Sequence, residues 1–265
     1  MSRSRNTTIL GISLSLISAS CGHTRGAANA AAAPNEPEPP AAQESASDGS
    51  LNREELNALM KEHFVIAIWA RNAVIDGTLE PIRAPLRAIS DYGYETFPLA
   101  WMSGIARLQA SARQTSNAES IEAAASGVAK LASICGRCHL DQGHVLPISG
   151  VEAYTEPPPE EITKRMTRHA WAVERLWDGL VAPSDAAWRA GAAALEHAPL
   201  EAPKPASTAP RDFARDFDVL RKLGARAYVT TALDARVQLY GAMLTTCSRC
   251  HAHVDEHEQV RAQQR

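Results

Sequence analysis

Apolar residues recur at steps of three and four along most of the chain beyond residue 50, which is the spacing of one face of an α-helix. The first such segment starts at Asn52 and ends at Gly77. Further helices are predicted over residues 81–90, 99–112 and 119–135, and a polar run, RQTSNAES, separates the last two. The pattern therefore predicts four helices in the first half. The residues that share one face of the first helix are Leu56, Met60, His63, Ala67, Ala70 and Val74.

The same pattern starts again after a linker rich in proline and glutamate, YTEPPPEE. Met166 and His169 reproduce the pair formed by Met60 and His63, with the same spacing on one apolar helix face. Two halves with the same order of helices indicate a tandem duplication. The predicted domains are residues 51–157 and 158–265.

Composition supports a helical, globular chain. Hydrophobic residues make up 45% of the 265 residues and charged residues 22%, which is ordinary for a protein with a buried core. Aromatic residues are only 5% and alanine is abundant, so helix-forming side chains outnumber strand-forming ones. The predicted fold class is all-α. A net charge of −3, with no strongly basic half, argues against nucleic acid as a partner.

The first 50 residues have a different character. Basic residues precede a short apolar run, Ile9–Ile17, which is the layout of a secretory signal and too short to span a membrane. Cys21 follows, as in bacterial lipoprotein signals, where that cysteine carries the lipid; the alternative is a plain signal cleaved near Ser20. Residues 22–50 are rich in Ala, Pro, Ser and Glu and are predicted to be a flexible tether. We expect export to the periplasmic side of a bacterial envelope, with a lipid anchor in the membrane.

A chemical motif closes each half. Cys135, Cys138 and His139 recur with the same spacing as Cys247, Cys250 and His251. Cys-x-x-Cys-His is the attachment signature of a c-type haem, in which two thiols form thioethers and the histidine becomes the proximal iron ligand. The offset between the motifs is slightly longer than the offset between the Met–His pairs, and we place the extra residues after the second helix of the second half.

Other interpretations of the motif are a zinc site, a redox disulfide and coincidence. Structural zinc needs four ligands, and a redox disulfide does not need the histidine. Two copies at matching places in a duplicated chain favour haem. The sequence therefore predicts two c-type haems, one in each half.

The order of four helices, the terminal motif and the segment LMKEHF (Leu59–Phe64) resemble the cytochrome c-prime family and its six-coordinate relatives. The resemblance covers residues 52–144 and, less closely, 160–253. It implies two tandem four-helix bundles, each with one covalently attached c-type haem, and leaves homodimerisation open because members of that family often dimerise. It assigns the thioethers to Cys135, Cys138, Cys247 and Cys250, and the proximal ligands to His139 and His251.

The sixth ligand of each iron has several candidates on the first helix of each half, because that helix lies beside the fourth in an up-down bundle. The alternatives are a histidine ligand, a methionine ligand, the residue that aligns with the usual distal position of the family, and an open or water-filled site. The candidate pairs are His63 and His169, Met60 and Met166, and, by alignment with the family, Asn57 and Thr163.

The predicted function is a di-haem electron carrier that exchanges electrons with redox proteins of the envelope and has no substrate turnover of its own. The alternative is a five-coordinate protein that binds nitric oxide or carbon monoxide. A di-haem peroxidase ranks third, because no Glu or Arg pairs with His63 or His169 in the sequence. We further expect His144, His253 and His257 to be solvated, with hydrogen bonds to the haem propionates as the alternative. The residues expected to pack the bundles are Trp69, Trp101, Trp171, Trp177 and Trp188.

Overall fold

The computed structural model describes residues 51–93, 97–144, 146, 162–197 and 211–263. The signal segment with Cys21, the tether and the linker between the halves lie outside the described residues. Every regular element in the described ranges is helical, which confirms the all-α prediction. A short 3-10 helix, Leu99–Trp101, precedes α3. The α-helices are α1 (Arg53–Ile75), α2 (Glu80–Ser90), α3 (Met102–Ser116), α4 (Ile121–Asp141), α5 (Ile162–Val181), α6 (Asp185–Glu196), α7 (Arg211–Tyr228) and α8 (Leu233–Gln263).

The start of α1 follows directly from its sequence. The Asn52 side chain accepts hydrogen bonds from the Glu54 and Glu55 amides at 2.9 and 3.1 Å, and the Glu55 carboxylate accepts one from the Asn52 amide at 2.9 Å. This capping box satisfies amides that have no partner inside the helix. At the other end, Gly77 has a φ of 71°, a conformation that glycine adopts without steric cost.

Two helices run further than their sequence pattern predicted. α3 continues to Ser116, where the hydroxyls of Thr115 and Ser116 bond back to carbonyls of the same helix at 2.7 and 2.9 Å. α4 continues to Asp141 and so carries the whole Cys-x-x-Cys-His motif inside the helix. The two cysteines of each motif therefore lie about one helical turn from each other.

The helix ends repeat between the two halves. The ends of α1 and α5 are separated by the same offset as the ends of α2 and α6, and this is also the offset between the Met–His pairs. The ends of α3 and α7, and the starts of α4 and α8, are instead separated by the longer offset of the two motifs. The extra residues of the second half thus fall between the end of α6 and the end of α7, which agrees with the prediction that they follow the second helix of that half. The corresponding ends and starts are Ile75 and Val181, Ser90 and Glu196, Ser116 and Tyr228, and Ile121 and Leu233.

Helices pack with their chain neighbours inside each half, and α1 and α5 also contact the fourth helix of their own half. Across the halves, α4 contacts both α8 and α5, and α1 contacts α8. One cluster of buried apolar side chains extends through both halves, including Val74, Leu86, Trp188 and Leu244. Residues Ser45–Arg265 accordingly form one compact unit, so the two predicted domains share a core.

The tryptophans divide between the core and the surface. Trp177 and Trp188 are fully buried, as expected for packing residues. Trp69 is 63% exposed, so the prediction that it packs a bundle is wrong. Its α1 neighbours Phe64 and Val65 are exposed as well.

No helix in the described part of the chain is long and apolar enough to cross a membrane.

Candidate functional site

A pocket of about 430 Å³ lies beside the second motif. Cys247, Cys250 and His251 of α8 form one wall, and Met166 and His169 of α5 face it from another. The structure thus brings together the motif and two of the three sixth-ligand candidates of the second half, Met166 and His169. The volume falls in the range of small-molecule and cofactor sites.

Apolar side chains of α7 contribute to this pocket, together with those of α5. The ring of Phe217 lies 5.3 Å from that of His169, and Phe213 lies 4.9 Å beyond it, centroid to centroid. Leu220, one turn further along α7, also lines the pocket. These side chains give His169 a largely apolar surface on that side.

The end of α1 supplies another wall, which the sequence did not reveal. Arg71 is 6% exposed and its guanidinium lies 5.5 Å from the centre of the Trp177 ring, a cation–π geometry. The available signal was its position between Ala67 and Val74 on the buried face of α1. Arg71 belongs to the first half, so this pocket is built by both halves.

Asp216 is a second residue that sequence reasoning missed. It is 6% exposed, accepts hydrogen bonds from the Arg249 guanidinium at 3.2 and 3.3 Å, and lies 3.6 Å from His253 Nε2. His253 is thus placed against a buried carboxylate, so the expectation of solvation is wrong for it. The signal was an aspartate on the α7 face that carries Phe213 and Phe217.

The first motif lies against α3 in the same way that the second lies against α7. A Cβ added at Gly104 would meet the Sγ atom of Cys138 at 3.0 Å, so this thiol packs directly on the α3 backbone. Gly104 and Asp216 occupy equivalent positions of the two halves, since they are separated by the same offset as the motifs, and Asp216 acts electrostatically on Cys250. Each second cysteine therefore faces the equivalent position of the third helix in its half.

A small apolar cluster joins α1, α3 and the segment that precedes α3. Ile105, adjacent to Gly104, packs with residues of α1 and with Phe97, and Met60 and Trp101 lie against them. Met60 is partly buried against this cluster, while Met166 borders the pocket of the second half. The buried members of the cluster are Leu56, Leu59, Phe97 and Ile105.

His63 lies beside this cluster and is 9% exposed. Its Nδ1 atom is buried without a hydrogen-bond partner among the described residues, and its ring meets that of Tyr92 edge-on at 6.2 Å. Burial lowers the pKa of His63 below its ordinary value, which favours the neutral imidazole that metals bind. Asn57 is exposed, and the side chain of Thr163 lies outside the described residues.

His139 is held by a residue of the other half. Its Nδ1 atom lies 2.9 Å from the carbonyl oxygen of Val181 at the end of α5. A carbonyl only accepts, so Nδ1 carries the hydrogen and donates it. Nε2 then keeps its lone pair, as a metal-binding imidazole requires.

The four motif thiols are free and half-buried. Burial raises the pKa of Cys135 and of Cys247 to about 12 and that of Cys250 to about 11, and it also raises the pKa of Cys138. Redox-active thiols have lowered pKa values, so these sites do not have the electrostatics of a dithiol oxidoreductase. Within the described ranges, no group of three or more His, Cys, Asp or Glu side chains is arranged to hold a metal ion by itself.

Comparisons with protein-family models, curated proteins and solved structures gave no match to this chain.

Proposed function

We propose that the chain is a di-haem electron carrier with two tandem four-helix bundles, each holding one c-type haem. The observation that carries the proposal is the pocket of the second half. It is lined by Cys247, Cys250 and His251 and also by Met166 and His169, which are residue types that would attach a haem and could ligate its iron.

The residues fit that cofactor in three respects. The two thiols of each motif lie about a helical turn apart next to a histidine, inside the rigid helices α4 and α8. His139 is fixed in the tautomer that leaves Nε2 for a metal. Burial lowers the pKa of His63 and favours the neutral imidazole, and its Nδ1 atom has no hydrogen-bond partner among the described residues, a state that costs stability unless a ligand such as iron satisfies it.

The repeat of helix ends supports the tandem arrangement. Contacts between α4 and α8 bring the two motif-bearing helices together inside one shared core. When bound, haem supplies a reversible one-electron change at its iron. The cysteines of the motifs would attach the haem, the apolar side chains of α3 and α7 would keep water from it, and a proximal and a distal strong-field ligand would hold its coordination unchanged between oxidation states.

The envelope location belongs to the same proposal. A lipid on Cys21 would tether the compact unit to a membrane through residues 22–50, and redox proteins of the envelope would be its partners. Replacing Cys21 with alanine should move the haem protein from the membrane fraction to the soluble fraction of the cell envelope. Retention of the C21A protein in the membrane fraction would contradict lipid anchoring.

Binding of nitric oxide or carbon monoxide is the second candidate, and one observation favours it at the first motif. The apolar cluster around Met60 and Ile105 is the kind of surface that would leave an iron five-coordinate and exclude polar ligands. This function requires His63 and Met60 to be packing residues only.

The test is to load the full chain with haem in a host that attaches it, then count haems per chain by mass and record absorption and electron paramagnetic resonance spectra. Two haems per chain with low-spin iron in both oxidation states support the electron carrier. Cys247→Ser with Cys250→Ser should leave one haem. High-spin iron that shifts on addition of nitric oxide would instead support gas binding, and a wild-type chain that acquires no haem would overturn both.

A further inference from the structure

The two halves contact each other reciprocally at the motifs. A Cβ added at Gly136, between Cys135 and Cys138, would overlap the carbonyl oxygen of Leu180 and touch the ring of Pro183 at 3.0 Å. At the equivalent place, a Cβ added at Gly77 would meet the hydroxyl of Ser248 at 3.1 Å. Each motif therefore packs on the turn that follows the first helix of the other half.

Each proximal histidine also contacts a residue of the other half. His139 donates from Nδ1 to the carbonyl of Val181, the last residue of α5. His251 Nδ1 lies 3.6 Å from the carboxylate of Asp76, the residue that follows α1. Val181 is the equivalent of Ile75, the last residue of α1, so the two acceptors occupy neighbouring positions of the repeat.

The acceptors differ in charge. His139 meets a neutral carbonyl whose residue is 4% exposed, whereas His251 faces a carboxylate. The Asp76 carboxylate is 66% exposed, and its 3.6 Å separation from His251 Nδ1 is a close contact that is longer than a hydrogen bond. The buried carboxylate of the same pocket, Asp216, is already engaged by Arg249 at 3.2 Å.

We propose that Asp76 is a positioning residue for His251 and makes the two haem centres unequal. The inference rests on the proposed function. A carboxylate that accepts the Nδ1 hydrogen orients the ring, fixes its tautomer and makes Nε2 a stronger donor. Stronger donation favours the oxidised iron, so the second centre has the lower reduction potential and the first, held by the Val181 carbonyl, the higher one.

The consequence is a direction for electron flow inside one chain. Electrons that enter at the second centre move to the first, because the first is the better acceptor. The two halves then differ at a position beside the proximal ligand. Asp76 of the first half lies beside the second centre, and the equivalent residue of the second half is Ala182.

The experiment is a spectroelectrochemical titration of the haem-loaded full chain. Cys247→Ser with Cys250→Ser identifies the midpoint potential of the first centre, and the remaining wave belongs to the second. In Asp76→Asn the lower midpoint should rise toward the upper one, while the upper midpoint stays unchanged. Asp76→Glu, which keeps the charge, should retain a lower midpoint for the second centre.

Glu80→Gln is the matched control, because it removes one nearby carboxylate that is 91% exposed and pairs with Arg83 instead. It should move neither midpoint. If the midpoint potentials of the haem-loaded protein do not change in Asp76→Asn, or change equally in Glu80→Gln, this inference is overturned. The proposed electron-carrier function is not affected by that result. A chain that acquires no haem overturns the proposed function itself, and the inference with it.

Discussion

At the scale of single residues, the half-buried thiols of the motifs with raised pKa values make a direct prediction for the haem-free protein. Alkylation by iodoacetamide requires the thiolate, and an unperturbed cysteine has a pKa of about 8.5. Because burial raises the pKa of Cys247 to about 12 and of Cys250 to about 11, little thiolate exists at pH 8. Both thiols should react at least about a hundredfold more slowly than in denaturant, with a rate that keeps rising above pH 9.

Mass spectrometry of the two motif peptides measures this rate, and denatured protein is the control. Equal rates in native and denatured samples would show that the haem-free chain does not hold its helices around the thiols. In the haem-loaded protein, the motif thiols should not react at all, since thioethers have replaced them. Residual labelling there would argue against covalent attachment.

His63 carries the second residue-scale prediction. Its buried Nδ1 atom lacks a partner among the described residues, so His63→Leu removes an unsatisfied polar group from an apolar site. The haem-free protein should lose no stability and should gain up to about 2 kcal/mol in urea unfolding. In the loaded protein, the same change should convert one of the two centres from low-spin to high-spin.

Met60→Leu is the matched variant, one helical turn away and partly buried against the same cluster. It should leave both centres low-spin. A spin change in Met60→Leu and none in His63→Leu would transfer the sixth ligand of the first centre to methionine.

The sequence is most informative at residues whose type and spacing are typical of only a few kinds of site. The cysteines and histidines of the motifs were identified because their spacing is specific, and the structure adds Met166 and His169 to the same pocket. Arg71 and Asp216 were missed because a charged residue on an apolar helix face has no defined partner until the helices are packed. A local sequence pattern indicates which face of a helix is buried, but it does not indicate which residues of other helices contact that face.

At the scale of helices, close approaches through glycine should control stability. Gly136 lets α4 lie against the end of α5, and an alanine there would overlap the Leu180 carbonyl. Gly136→Ala gains about 1 kcal/mol of helix propensity but should still destabilise the protein by about 2 kcal/mol, because backbone cannot move aside cheaply. Thermal and urea unfolding measure the change.

Gly241→Ala is the control for the other motif-bearing helix. A Cβ there would lie 3.3 Å from Cα of Ser126 on α4, a tight contact that needs only a small adjustment. Its effect should stay within about 1 kcal/mol in either direction. If Gly136→Ala proved as mild as Gly241→Ala, the contact between α4 and α5 would not be close in solution.

The sequence pattern located the helices because amphipathic periodicity is a local property. Their ends were harder to predict: α4 continues through Cys135–His139, where the sequence is polar and the apolar stripe fades. Packing on α5 holds that last turn, with Leu180 and Val181 against it. This contact joins residues that are far apart along the chain, and no short window of sequence contains both partners.

At the scale of the whole molecule, the repeat predicted two domains, and the structure joins their cores. Buried side chains of α4 and α8 belong to one cluster, and each motif packs on the first helix of the other half. A shared core of this kind unfolds as a unit. The full compact region should therefore show one urea transition, with coincident midpoints by circular dichroism and tryptophan fluorescence.

A fragment that contains only the first half, residues 51–157, should not fold alone. It would expose the faces of α1 and α4 that the second half covers. We expect it to aggregate or to unfold without a cooperative transition, while residues 51–265 fold. Size-exclusion chromatography and urea unfolding of both chains measure this. The opposite outcome has two parts: the fragment is monomeric and unfolds cooperatively, and residues 51–265 show a separate first transition with the same midpoint. That outcome would show that the halves are independent domains. In that case the Val181 carbonyl would not be needed to hold His139, since the fragment lacks it.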